Sequence, residues 1–171
     1  LNRELSHRMK NLLAMVQSIA TQTMRSAIDV DTAKEVLAGR LIALGQAHDL
    51  LMGGALGSTL IGPVVRGALK LHEDREGRFR LDGPELEIGA KPALSLALML
   101  HELATNAAKY GALSDEDGHV AIRWEVRDEA GEPTLAFSWA EIGGPPVTRP
   151  TRKGFGSRFI ERGLAGQVGG T

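Results

Sequence analysis

From Asn2 to Ser26 the chain carries neither glycine nor proline, and its apolar residues return at helical spacing. Leu5, Met9, Leu12, Leu13, Val16, Ile19 and Ala20 fall in one stripe, roughly 120° wide at ~100° per residue, as an amphipathic helix requires. Asp29 or Asp31 can cap a second helix. The register of Ala33, Leu37, Leu41, Leu44, His48 and Leu51 carries that helix to about Met52. Two such helices joined by a short turn predict a helical hairpin over residues 1–54. Each stripe needs a cover, either the other helix or a second copy of the protein.

Gly53-Gly54-Ala55-Leu56-Gly57 breaks this pattern and marks the expected boundary. Beyond it, over residues 58–171, helical and strand periods mix, so the expected fold class is α+β. A helix begins between Ser58 and Pro63 and runs to about His72, with Pro63 suited to its first turn. Residues 78–81 and 85–88 read as short strands around Asp82-Gly83-Pro84. Residues 92–110 form a very apolar helix with Leu94, Leu96, Leu98, Leu100 and Leu103, expected at the centre. Residues 120–126 and 134–139 alternate as strands about a turn at 128–133. Residues 143–156 are dense in glycine and proline and carry Arg149, Arg152 and Lys153, the pattern of a mobile loop. Gly156-Ser157 then opens a last helix to about Val168.

Composition removes several function classes. The net charge is −1, so nothing broadly attracts nucleic acid or an anionic membrane. With no cysteine among 171 residues, disulfides and thiolate metal sites are excluded, and a cytoplasmic setting is expected. No apolar run approaches the ~20 residues of a membrane-spanning helix, and no signal peptide is visible. The chain starts inside a helical pattern and stops after Gly169-Gly170-Thr171, which predicts a piece of a longer protein.

Three places can carry chemistry. The first is His101-Glu102-Leu103-Ala104-Thr105-Asn106-Ala107-Ala108-Lys109-Tyr110-Gly111. Glu102 and Asn106 stand four residues apart, on one helix face, and offer the oxygen donors that Mg²⁺ prefers. Lys109 and Tyr110 add a phosphate-seeking charge and a flat ring at the helix end. The plain alternative is an amphipathic helix with an exposed polar patch. A zinc-protease helix would need a second histidine at residue 105, where Thr105 stands.

The second is His7, opposite the apolar stripe, with Glu4 and Asn11 on the same polar face. It is either a solvated surface histidine or a nucleophile for phosphoryl transfer, its ring oriented by Glu4. Ser6 and Arg8 beside it suit phosphate contact. The third is the segment from Trp139-Ala140-Glu141 through Gly143 and Gly144 to Gly154-Phe155-Gly156-Ser157. A carboxylate at a strand end can accept from the exocyclic amine of adenine, glycines admit a base closely, and a helix opening at Ser157 can hold phosphate. An ordinary surface loop is the alternative.

Together these segments resemble the HWE type of sensor histidine kinase. Residues 4–13 resemble its phosphoacceptor box, 101–113 its N box with His101 as the name-giving histidine, 139–141 its Trp-x-Glu, and 154–162 its second glycine box. The resemblance implies that residues 1–54 are a dimerisation and phosphotransfer hairpin. It implies that residues 58–171 are a C-terminally truncated ATP-binding α/β sandwich with helices on one face of a mixed sheet. His7 would be the phosphoacceptor and Asn106 a Mg²⁺ ligand. Glu102 stands at the catalytic glutamate position of the wider ATPase superfamily, where it would also reach the metal. Lys109, Tyr110, Glu141, Gly143, Gly144, Arg152, Lys153, Gly154, Phe155, Gly156 and Ser157 would hold ATP. Residue 8 is Arg, where the commonest histidine kinases place an acid, so Glu4 or Glu102 is the expected acid–base group, with Asn11 assisting a reverse step. The implied partners are a response-regulator receiver domain, an upstream sensor domain in the same polypeptide and, through the hairpin, a second copy. The rival readings are a degenerate nucleotide-binding signalling module and a gyrase-like ATPase.

Overall fold

A computed structural model of the chain describes residues 2–53, 57–129 and 131–146. For residues 2–5, 7, 8 and 132 it describes the backbone alone. Among the described residues four α-helices and five strands follow in the order α1 (Asn2–Ser26), α2 (Val30–Gly53), β1 (Ser58–Leu60), α3 (Ile61–Leu69), β2 (Phe79–Asp82), β3 (Glu87–Gly89), α4 (Ala90–Tyr110), β4 (His119–Glu129) and β5 (Glu132–Ile142). The fold is α+β. The chain divides into two compact units, Leu1–Ile42 and Ala43–Thr171, and the division falls inside α2.

In the first unit Asp29 caps α2. Its Oδ1 accepts the Thr32 N–H at 2.7 Å and its Oδ2 accepts the Thr32 hydroxyl at 2.9 Å. Both bonds favour the ionised carboxylate and lower its pKa. Ile19 and Ala33 are buried, whereas Met9 and Leu13 of the same stripe are exposed. A polar pin lies within this unit. Buried Arg40 donates through Nη1 to the Thr23 hydroxyl at 2.6 Å, and that hydroxyl donates to the Ile19 carbonyl at 2.7 Å.

The second unit is built around α4. Every residue from Ser95 to Glu102 is buried, as expected of a helix that is apolar nearly all round. Leu96, Leu100, Ala104 and Ala107 pack with Ile61, Val64, Val65 and Leu69 of α3 and with Val120, Ile122 and Trp124 of β4. Full burial of side chains such as Ile61, Leu100 and Ile122 stabilises the unit by about 1.5–3 kcal/mol each. Ala47 and Leu51, from the end of α2, join the same core.

Two sheets carry the strands: β1 pairs antiparallel with β3, and β2–β4–β5 form a mixed sheet. β4 and β5 are longer than their alternation predicts. Their register sets Val120 against Glu141, Ile122 against Trp139, Trp124 against Phe137 and Val126 against Leu135. These pairs occupy one face, because alternate residues of a strand share a side.

Helix α3 starts at Ile61, within the expected range. The three residues before it, Ser58–Leu60, form a strand because they find β3 as a partner, and Lys70–His72 at its end tightens into a 3₁₀ turn. The strands on either side of Gly83 do not pair with each other: β2 runs parallel to β4 and β3 joins β1. The last expected helix lies outside the described residues.

Candidate nucleotide site

The polar patch of α4 is split by depth. Glu102 is buried and Asn106, one turn on, is exposed, so the pair leads from the core to the surface. Lys109 and Tyr110 are exposed at the helix end, Tyr110 at 73%. Among the described residues no three His, Asp or Glu side chains gather into a metal cage. Two oxygen donors nonetheless fit Mg²⁺, which keeps several waters and shares phosphate oxygens rather than filling an all-protein site.

Behind this patch lies a contact without a local sequence signal. His72, from the turn after α3, brings its Nε2 to 3.3 Å from Nδ1 of buried His101 and 3.4 Å from the Thr105 hydroxyl. That hydroxyl donates to the His101 carbonyl at 2.8 Å. An Nε2–H tautomer of His72, donating toward both, satisfies this geometry. Burial first, and then the electrostatic influence of His101, push the His72 pKa down to about 4, while Glu102 acts in the other direction.

The folded value lies below the unfolded one of about 6.5. The stability His72 supports is therefore complete above about pH 6.5 and is lost as pH falls toward 4. Denaturant unfolding at pH 7 and pH 5 checks this. The wild type is expected to lose about 1 kcal/mol more than His72→Gln, after discounting for partial exposure. Parallel losses would show that His72 does not couple folding to protons.

The end of α4 meets the end of β5 at Ala112. One carboxylate joins them: Glu141 accepts the Ala112 N–H on Oε2 at 2.9 Å and the Trp139 indole N–H on Oε1 at 3.1 Å. Glycines permit this approach. A Cβ on Gly111 would lie 1.9 Å from Glu141 Oε2, and one on Gly144 would lie 2.6 Å from the Ala112 Cα. Gly143, between Ile142 and Gly144, has φ +77°. Glu102, Asn106, Lys109, Tyr110, Glu141, Gly143 and Gly144 thus belong to one unit and to the two chain segments that meet at residues 111–112.

Arg78, which has no signal of its own in the sequence, holds the adjoining loop. It is buried, and its guanidinium donates to the carbonyls of Leu113 at 2.5 Å, Asp115 at 2.6 Å, Glu116 at 3.1 Å and Gly118 at 2.7 Å. Its Nε lies 3.1 Å from Asp74 Oδ1 but off the N–H axis, so that contact is an ion pair and not a hydrogen bond.

The remaining expected residues are not brought to this site by anything described. His7 and Glu4 sit on α1, and their side chains lie outside the description; Asn11 is exposed on the same helix. Arg152, Lys153, Gly154, Phe155, Gly156 and Ser157 lie outside the described residues.

Residues 4–85 match the family model described as HWE histidine kinase. The chain is 48% identical over 167 residues to a blue-light-activated histidine kinase of Brucella anthropi, covering 97% of this chain and 34% of that protein. A protein of the same description in Brucella ovis is 40% identical over 168 residues, covering 98% and 34%. The chain therefore spans about a third of the length of the curated relatives it matches. Among solved structures, the blue-light activated histidine kinase of Erythrobacter litoralis matches with a TM-score of 0.57 at 21% identity, over 96% of this chain and 55% of that one. Its separate histidine kinase domain matches with a TM-score of 0.52 at 18% identity, over 92% and 84%.

The chain thus has the fold of histidine kinase domains. Over residues 4–85 it matches the HWE histidine kinase model, and over nearly all its length it is similar to proteins described as histidine kinases.

Proposed function

We propose that the whole protein binds ATP at the α4–β5 junction and phosphorylates itself on His7. The observation that carries this reading is the convergence of Asn106, Lys109, Tyr110 and Glu141 on the two segments that meet at Ala112. Glu141 reads the base, Tyr110 packs on the nucleotide and Lys109 meets phosphate. Gly143, Gly144, Arg152, Lys153, Gly154, Phe155, Gly156 and Ser157 complete the nucleotide enclosure. Asn106, with Glu102 behind it, holds Mg²⁺, which when bound offsets phosphate charge.

A His7 ring nitrogen attacks the γ-phosphorus, the bond to the β–γ bridging oxygen breaks, and ADP leaves. Glu4 or Glu102 takes the proton the imidazole gives up. Phosphohistidine is an intermediate, and its phosphoryl group passes to an aspartate of a response-regulator receiver domain. Asn11, one turn past His7, assists the reverse removal of phosphate. An upstream sensor domain sets the rate. The exposed Met9 and Leu13 of α1 suit a homodimer, and a cytoplasmic location follows from the ATP requirement. Among the described residues no helix is long and apolar enough to cross a membrane.

The test is incubation of the intact polypeptide with γ-labelled ATP and Mg²⁺. The expected label is acid-labile and alkali-stable, and EDTA prevents it. Acid-stable label would put the phosphate on another side chain. ATP hydrolysis without label would favour the plain ATPase, and nucleotide binding without turnover the signalling module.

A further inference from the structure

Along β5, Leu135, Phe137 and Trp139 pack against the core, and Glu141 follows on the same face but is exposed at the strand end, opposite the fully buried Val120. The strand thus places a carboxylate where its alternation calls for an apolar side chain. A glutamate side chain has three rotatable bonds and would sample several positions at this rim. Two donors prevent that: the Ala112 N–H takes one oxygen and the Trp139 N–H the other. Trp139 is itself held. Phe79 lies against its ring, with centroids 6.3 Å apart, and its position on the strand two residues before Glu141 puts both side chains on one face.

We infer that Trp139 is a positioning residue for base selection, acting through Glu141. This rests on the reading of Glu141 as the group that meets the base. Each carboxylate oxygen keeps a second lone pair after its internal bond. A fixed acceptor at that rim pairs with the 6-amino group of adenine and opposes the 6-oxo group of guanine. A carboxylate free to turn can instead accept the N1–H and 2-amino donors of guanine. Discrimination therefore depends on the orientation of Glu141, and the indole N–H is what fixes one end of it.

The experiment measures ADP and GDP affinity by calorimetry in the intact polypeptide, for wild type, Trp139→Phe and Glu141→Gln. Trp139→Phe keeps a ring against Phe79 and removes the donor. ADP binding is expected to weaken about tenfold, the scale of one lost hydrogen bond to a charged group that water partly replaces. GDP binding should hold or tighten, so the ADP preference narrows. A packing defect alone would weaken both nucleotides alike, and that result overturns the inference. Replacing Trp139 with benzothienylalanine, which has sulfur in place of the N–H and the same ring shape, supplies the same readout if Trp139→Phe folds poorly. A silent Trp139→Phe beside a Glu141→Gln that loses ADP sinks this inference and leaves the nucleotide site standing. A Glu141→Gln that keeps full ADP preference removes Glu141 from base reading, and the inference goes with it.

Discussion

His7→Ala is expected to abolish the acid-labile label completely while ADP binding stays at the wild-type level. Both halves of that outcome follow from the separation of roles along the chain. His7 sits on α1, in the first compact unit, and every described nucleotide candidate lies between Glu102 and Gly144 in the second. In the proposed reaction the His7 imidazole supplies the atom that forms the new N–P bond, so its removal leaves no acceptor rather than a slower one. It leaves Glu141, Tyr110 and Lys109 as they were. Asn106→Ala is the complementary loss. There the acceptor remains, but the proposed metal ligand is missing, and transfer is expected to fall by about 10²–10³, the scale of losing one electrostatic contact in a transition state.

The acid–base group is separable by the same assay. Glu4→Gln and Glu102→Gln each preserve size and remove the basic site. The one that serves His7 loses about 10²–10⁴ in labelling rate, and the other changes little at saturating Mg²⁺. Label that survives His7→Ala would move the acceptor to another residue and end this assignment.

The sequence exposed whatever depended on local period. Two runs of helical period read as α1 and α2, the second despite Gly39 and Gly45, and their ends fall within a residue or two of Ser26 and Gly53. Cap chemistry near Asp29 was readable because a cap and its helix are adjacent. The all-round apolarity of 92–110 announced a central helix, and α4 is that helix. Alternation from Leu135 to Trp139 was readable as well. Its period of two extends to Glu141, so the indole and the carboxylate share one face of β5.

What stayed hidden was non-local. β1 spans three residues, too few for a period, and becomes a strand only because Thr59 meets Ile88. The strands flanking Gly83 look like hairpin partners in sequence, yet they enter different sheets because β2 finds β4 in parallel. His72 lies 29 residues from His101 and follows no pattern of its own. Arg78 is the extreme case, since its partners are backbone carbonyls 35 to 40 residues ahead, and carbonyls have no sequence identity to read.

Arg78→Met is expected to destabilise the second unit by about 2–6 kcal/mol, read as a lower urea midpoint with an unchanged slope. Methionine matches much of the buried stem but donates nothing. The bonds to Leu113 and Gly118 are buried, so those carbonyls lose their partner without gaining water, while Asp115 and Glu116 are part-buried and can be rehydrated. Two orphaned buried acceptors at about 1–3 kcal/mol each set the range. That is a large share of the ~5–15 kcal/mol that typically holds a domain. Arg78→Lys should recover only part of it, because an ammonium is a compact charge without the planar fork that spans several carbonyls. The loss also reaches the nucleotide. The loop that Arg78 gathers begins at Ala112, whose N–H fixes Glu141, so a loosened loop frees the carboxylate as surely as a missing indole would. ADP affinity in Arg78→Lys, measured at a temperature where the variant is fully folded, should therefore fall while its GDP affinity does not. If the midpoint drops and base preference is untouched, the guanidinium closes the loop without tensioning the site, and Ala112 is held by α4 alone.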